Sequence, residues 1–237
     1  MLRALLAVTI TVVVTQAAVL ATSIYLHRGL AHRALTLHPL ADFFFRIILW
    51  ITTGQDRRQW VAVHRKHHAF TDTEKDPHSP LVHGLWKIQL GNVYYYIREA
   101  RNPETLARWA KDIREDWWDR RLFSKGTLGG ILGLVLAMLV LGPAWGIFVV
   151  AVHLVLYVFV LAPSINGLGH WWGKRNFGTN SATLDFMMPL LQTLGTFYNR
   201  GTALMTVPIE VDGTAFELGP QRIGPDTTRA PAQPGSR

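Results

Sequence analysis

Trp60-Val61-Ala62-Val63-His64-Arg65-Lys66-His67-His68 places three histidines within five residues. On a helix, His64, His67 and His68 stand at i, i+3 and i+4 and share one face. Imidazole is a common ligand for iron, zinc, copper and nickel, so one turn could present three nitrogens to a metal. Taken alone, the stretch also reads as an exposed basic helix built on Arg65 and Lys66. Two other groups weigh against that reading: His27 with His32 upstream, and Asn166 with His170 downstream. Each lies at the edge of an apolar run.

The 237 residues are enough for one domain with a real core. Hydrophobic residues make up 49% and charged residues 17%, with a mean hydropathy of +0.15, which leans toward a membrane protein. The net charge of +8 raises nucleic acid as a partner. The basic residues flank apolar segments and form no compact polar domain, so membrane lipid or an acidic partner is expected and nucleic acid is not. The absence of cysteine excludes disulfides, cysteine-held iron–sulfur clusters and thiolate-held haem. Any metal must be held by nitrogen and oxygen.

Residues 4–26 carry no charge and are long enough to cross a hydrocarbon core about 30 Å thick. A cleaved signal peptide is the rival reading of this run. His27 and His32 follow, five residues apart, which is about 140° around an α-helix. Gly29 offers a place for the helix to end or distort and bring both imidazoles to one point. Residues 39–55 resemble a second span but contain Asp42 and Arg46. A crossing here would put the two histidine groups on opposite sides of the membrane. An interfacial or re-entrant helix is therefore expected, with Asp42 and Arg46 toward water or the site.

Residues 56–125 are polar, with basic residues in excess, which places them in the cytoplasm. Helices are expected over 85–99 and 103–118, the second opened by Asn102 as N-cap and Pro103 at the first helical position. Trp86, Tyr94, Tyr95, Tyr96, Trp109, Trp117 and Trp118 suit either a headgroup-facing surface or packing between these helices. Residues 126–163 are uncharged, and Gly142-Pro143 divides them into two short spans that return the chain to the cytoplasmic side. Asn166 and His170 then stand at i, i+4 beside the other histidines. His153, inside the last span, reads as a hydrogen-bonded packing residue.

The fold expected is an all-α integral membrane bundle with about three spans, an interfacial or re-entrant helix, and a cytoplasmic helical cap carrying the metal site. The expected divisions are a membrane and cap domain at 1–177, a divergent segment at 178–223 and a disordered tail at 224–237.

His27-Arg28-Gly29-Leu30-Ala31-His32 matches an HxxxxH box and His64-Arg65-Lys66-His67-His68 an HxxHH box. Asp76-Pro77-His78 and the run from Asn166 through His170 to Phe177 fit the same pattern. With these boxes in this order and spacing, the chain resembles bacterial acyl-CoA desaturases of the Δ9 type, membrane-bound di-iron enzymes of the inner membrane. The resemblance implies iron ligands at His27, His32, His64, His67, His68 and His170, with Asn166 reaching iron through water. It implies two irons, dioxygen, and a long-chain acyl-CoA or acyl lipid that receives a cis double bond. It also implies an electron donor such as ferredoxin, rubredoxin or cytochrome b5. Desaturases of this kind carry a third box, HxxHH, shortly beyond the position of His170, yet no histidine follows His170 here. Three explanations stand: a truncated or rearranged product; ligation completed by Asp185, Glu210, Asp212 or His78; and a mononuclear or non-catalytic descendant. A related di-iron lipid hydroxylase is the nearest functional alternative.

Overall fold

The computed structural model describes residues 1–171 and the backbone of two strands, Val207–Val211 and Thr214–Leu218. Asp185, Asp212, residues 172–177 and the tail at 224–237 lie outside the described residues, as does the side chain of Glu210.

Up to Trp171 the chain is helical. Helix α1 runs Leu2–Ala31 and α8 runs Pro143–Trp171, and both are long and apolar enough to cross a membrane. At 1.5 Å per residue, a helix of 30 residues measures about 45 Å, roughly 15 Å more than the hydrocarbon core. Both helices are therefore longer than the apolar layer is thick, and their C-terminal turns carry His27 in one and His170 in the other. The two helices run side by side in one direction. Ala7 packs on Val149, Thr15 Oγ1 meets His153 Nδ1 at 3.0 Å, and Thr22 Oγ1 meets the Tyr157 hydroxyl at 2.6 Å. His153 is thus held as a packing residue, its other ring nitrogen 3.0 Å from the Thr52 carbonyl.

Helix α7, Gly126–Leu141, is apolar but shorter. It joins α8 through Gly142, whose φ of 85° is open to glycine and costly for other residues. The expected break at Gly142-Pro143 is therefore a helical hairpin. Its arms touch closely, since a Cβ on Gly146 would lie 2.5 Å from the Met138 nitrogen.

Helix α2, Pro39–Thr52, is capped by His38, with Pro39 in its first turn. Its 14 residues span about 21 Å, too short to cross a bilayer upright. It packs on α1 through Leu49 against Ala21, Tyr25 and Leu26, and on α7 through backbone. Cβ atoms on Gly126, Gly129 and Gly133 would lie 2.1, 2.2 and 2.3 Å from the carbonyl oxygens of Gly54, Trp50 and Ile51. Arg46 corrects the expectation for this helix, because it faces neither water nor the histidines. It is 6% exposed and donates to both carboxylate oxygens of Asp116 at 2.7 and 2.9 Å and to Asp119 at 2.7 Å. Arg57 joins the same pair of carboxylates, so α2 and the start of the helix that follows it are tied to the segment just before α7.

Between α2 and α7 lie α3 (Arg57–Phe70), α4 (Pro80–His83), α5 (Leu85–Ala100) and α6 (Pro103–Trp109), the segment expected to form the cap. Asp56 caps α3 and Asn102 caps α6, the latter as expected. Helix α6 stops at Trp109, well before residue 118. Trp109 and Ala110 are buried against Ala62, and Arg65 takes the Trp109 carbonyl at 2.9 Å, an oxygen that a longer helix would use. Helicity resumes at Trp117-Trp118 and passes into a π turn at Asp119–Phe123.

Strands β1 (Val207–Val211) and β2 (Thr214–Leu218) pair antiparallel, with Val207 opposite Leu218 and Val211 opposite Thr214. They depart from the expectation of helix alone. Asp212-Gly213 between them is the two-residue hairpin signal in the sequence.

The α2–α7 contact leaves no space for a side chain at Gly129, whereas nothing lies within 4 Å of a Cβ on Gly130. Gly129→Val is expected to lower stability in detergent by at least about 1–3 kcal/mol. Gly130→Ala should leave it unchanged or raise it by up to about 1 kcal/mol. Thermal unfolding followed by circular dichroism checks both.

Candidate metal centre

Residues five apart on an α-helix do not share a face, yet His27 and His32 meet. The reason is the winding of α1, which passes from α to π over Ala21–Ala31. The i→i+5 bond from the His32 amide to the His27 carbonyl, at 2.9 Å, stacks the two residues on one side. Gly29 lies inside this segment and does not break it, so the distortion is spread over the preceding turns.

Helix α3 supplies His64, His67 and His68. A buried Arg65 fixes it against the end of α1, donating to the carbonyls of Leu30 at 2.8 Å and Ala31 at 3.2 Å. These are free carbonyls of a helix C-terminus, so a cation there is doubly favoured. Asp112 answers the guanidinium charge through both oxygens, at 2.5 and 3.1 Å.

Two groups of donors result. In the first, one nitrogen from each of His27, His32, His64 and His68 lies within 4.8 Å of the others. His27 Nε2 and His32 Nε2 are 3.1 Å apart, and His32 Nε2 and His64 Nε2 3.4 Å. Nitrogens bound at about 2.1 Å to one ion lie roughly 3–3.4 Å from each other, so the spacing fits a shared metal. Burial, then the neighbouring imidazoles, holds His64 and His68 neutral far below the usual histidine range, which leaves lone pairs to donate. Trp60 stacks on His64 with centroids 4.5 Å apart and closes that side of the ring.

The second group is His67, Asp76 and His78, all buried. His170 adjoins it, its ring centroid 5.0 Å from that of His67. His67 Nδ1 donates to Asp76 at 2.9 Å, and His170 Nδ1 donates to Asp72 at 3.0 Å. A carboxylate on Nδ1 fixes the tautomer and leaves Nε2 as the donor nitrogen. Burial would raise both carboxyls, but the imidazoles, with Ser79 on Asp72, hold them below the usual range. The loop is built to serve this purpose. Asp72 has a φ of 59°, tolerable for aspartate, and Asp76 also accepts the amides of Asp72 and His78.

The structure thus brings His27, His32, His64 and His68 together and sets His67 and His170 beside them. Asn166 is half-buried on the π turn Ser164–Leu168, and no hydrogen bond joins it to the histidines among the described residues. Asp72 was not singled out from sequence, and Arg65 was read there only as part of an exposed basic face, whereas it is buried. The carboxylates at four and eight residues beyond His68 were the available signal for the first, and the arginine inside the histidine box for the second.

Residues 3–200 match the family model described as Fatty acid desaturase. A Delta-9 acyl-lipid desaturase of Arabidopsis thaliana is 34% identical over 164 residues, covering 66% of this chain and 50% of that protein. The sn-1 stearoyl-lipid 9-desaturase of Synechocystis sp. is 29% identical, over 71% of this chain and 52% of its own. The acyl-CoA C20 Delta5-desaturase of Anemone leveillei is 28% identical, over 75% and 56%. The chain spans about half the length of the curated relatives it matches.

Two outcomes follow from this geometry. Asp76→Asn weakens the hold on His67 and is expected to reduce metal affinity about 10–100-fold, read by competition with a chelator. Asp112 sits at about 2 because the Arg65 and Arg33 guanidiniums outweigh burial. Its stabilising effect is therefore complete above pH 4 and lost as pH falls toward 2. Asp112→Asn should remove about 2 kcal/mol of stability at neutral pH and flatten the acid limb of the unfolding curve by the same amount.

Proposed function

Because the chain belongs to the fatty acid desaturase family, we propose that it introduces a cis double bond into a long acyl chain, carried as an acyl-CoA or an acyl lipid. Dioxygen is the oxidant and a separate donor such as ferredoxin, rubredoxin or cytochrome b5 supplies two electrons. The two hydrogens lost by adjacent methylenes, the two electrons and two protons together reduce dioxygen to two waters. The observation that carries this reading is the convergence of histidines from α1, α3 and α8 at the ends of two helices of membrane length.

Iron is the metal proposed, held by His27, His32, His64 and His68 in one group and by His67 and His170 in the other, with Asn166 reaching it through water. Bound there, iron supplies the activation of dioxygen. The chain's own residues do the rest. Burial keeps His64 and His68 unprotonated. Asp72 and Asp76 hold His170 and His67 in the tautomer that presents Nε2. Trp60 screens His64 from solvent. An acyl tail already dissolved in the bilayer needs only a short excursion to reach a site at this level. The excess of basic residues in 56–125 supports a cytoplasmic site, where soluble electron donors are available. The absence of histidine after His170 favours one other reading, a membrane protein that keeps the scaffold without turnover.

Expression in a host lacking its own desaturase decides between them. Cis-monounsaturated fatty acids, measured by gas chromatography–mass spectrometry, are expected with the full chain and should fall at least about 100-fold in a His64→Ala, His68→Ala variant. Iron-loaded protein that yields no unsaturated product with any of the three donors would overturn the catalytic reading.

A further inference from the structure

His78 belongs to no histidine box, yet it is 5% exposed and its Nδ1 is buried without a hydrogen-bond partner. Buried polar atoms are rarely left so, and each exception calls for a water, an ion or a functional reason. The surroundings of His78 favour an ion. Its ring lies 4.6 Å from that of His67 at 25°, and one of its nitrogens falls within 4.8 Å of a His67 nitrogen and an Asp76 carboxylate oxygen. Asp76 is already occupied, accepting His67 Nδ1 and the amides of Asp72 and His78, so it serves as a holder for the donors. The His78 amide bond to Asp76 Oδ1, at 3.0 Å, pins the backbone of the imidazole that lacks a partner. His67 and His170 both have Nδ1 engaged and Nε2 free to ligate.

We propose that His78 is a metal ligand, completing with His67 and His170 a second nitrogen site beside the four-histidine group. This rests on reading the histidine cluster as metal-binding and goes further by supplying a donor from the loop after α3, in a chain with no histidine beyond His170. Three neutral imidazoles on one divalent ion leave coordination positions open, as a site that must admit a small reactant requires.

The test is metal counting on the full chain purified in detergent, with Co(II) as the probe. Bound cobalt is measured after equilibrium dialysis, and its visible bands report the ligand field. Wild type is expected to hold about two equivalents. His78→Gln, which keeps the volume of the side chain, should hold about one, with the bands of the four-histidine site unchanged. In His78→Ala, added imidazole should restore the second equivalent. A folded His78→Gln protein, judged by its helical circular dichroism, that retains two equivalents and the wild-type bands overturns the proposal. If His78→Gln does not fold, His78→Ala decides: failure of imidazole to change either count or bands overturns it too. Wild type holding a single equivalent removes the second site alone, whereas wild type holding none removes the metal reading of the whole cluster.

Discussion

A single buried cation organises the centre of this molecule. Arg65 is 1% exposed, and its guanidinium grips the last carbonyls of α1, the last carbonyl of α6 and the carboxylate of Asp112. Each of these partners belongs to a different part of the chain. A charge in such a place is tolerable only when its donors are satisfied, and removal of one side of a buried pair typically costs about 3–5 kcal/mol. Arg65 lies between His64 and Lys66, so the residue that locks α3 against α1 is part of the segment that presents the imidazoles. Lys66 extends the tie to α5 through Glu99 at 2.7 Å. The alternation of histidine and anchor along one helix sets the position of every imidazole on it.

The two donor groups are supported differently. The four-histidine group is made by helices alone, with imidazoles packed against one another and against Trp60. The other depends on the loop at residues 71–79, whose aspartates orient His67 and His170 by charge-assisted hydrogen bonds. Rigid elements thus position one half of the site and a hydrogen-bonded loop the other.

Much of this was legible in the sequence. The uncharged runs revealed α1, α7 and α8, Gly142-Pro143 marked the hairpin, and the wish to keep both histidine groups on one side led to a non-crossing reading of α2, whose 14 residues are short for a span. What remained hidden depended on contacts across long separations. Arg46 reads as a charge in want of water until Asp116 and Asp119, seventy and more residues away, are seen around it. The end of α6 is set by Arg65, so no local signal at Trp109 discloses it. The match of the boxes to a known pattern gave the candidate ligands, but the pairing of His170 with Asp72, 98 residues apart, came only from the fold.

The π segment of α1 gives the chain a further property. A stretch wound with i→i+5 bonds holds more residues per turn than an α-helix, so its geometry is a matter of counting rather than of chemistry. Loss of any one residue between Ala21 and His27 would let the helix relax to tighter winding and turn the downstream side chains by about 100°. Every histidine would still be present in the sequence, while His27 and His32 together would turn away from the imidazoles of α3. Length in this stretch is therefore as strictly bound as the identity of the histidines, and an insertion or deletion there is a more drastic change than most substitutions.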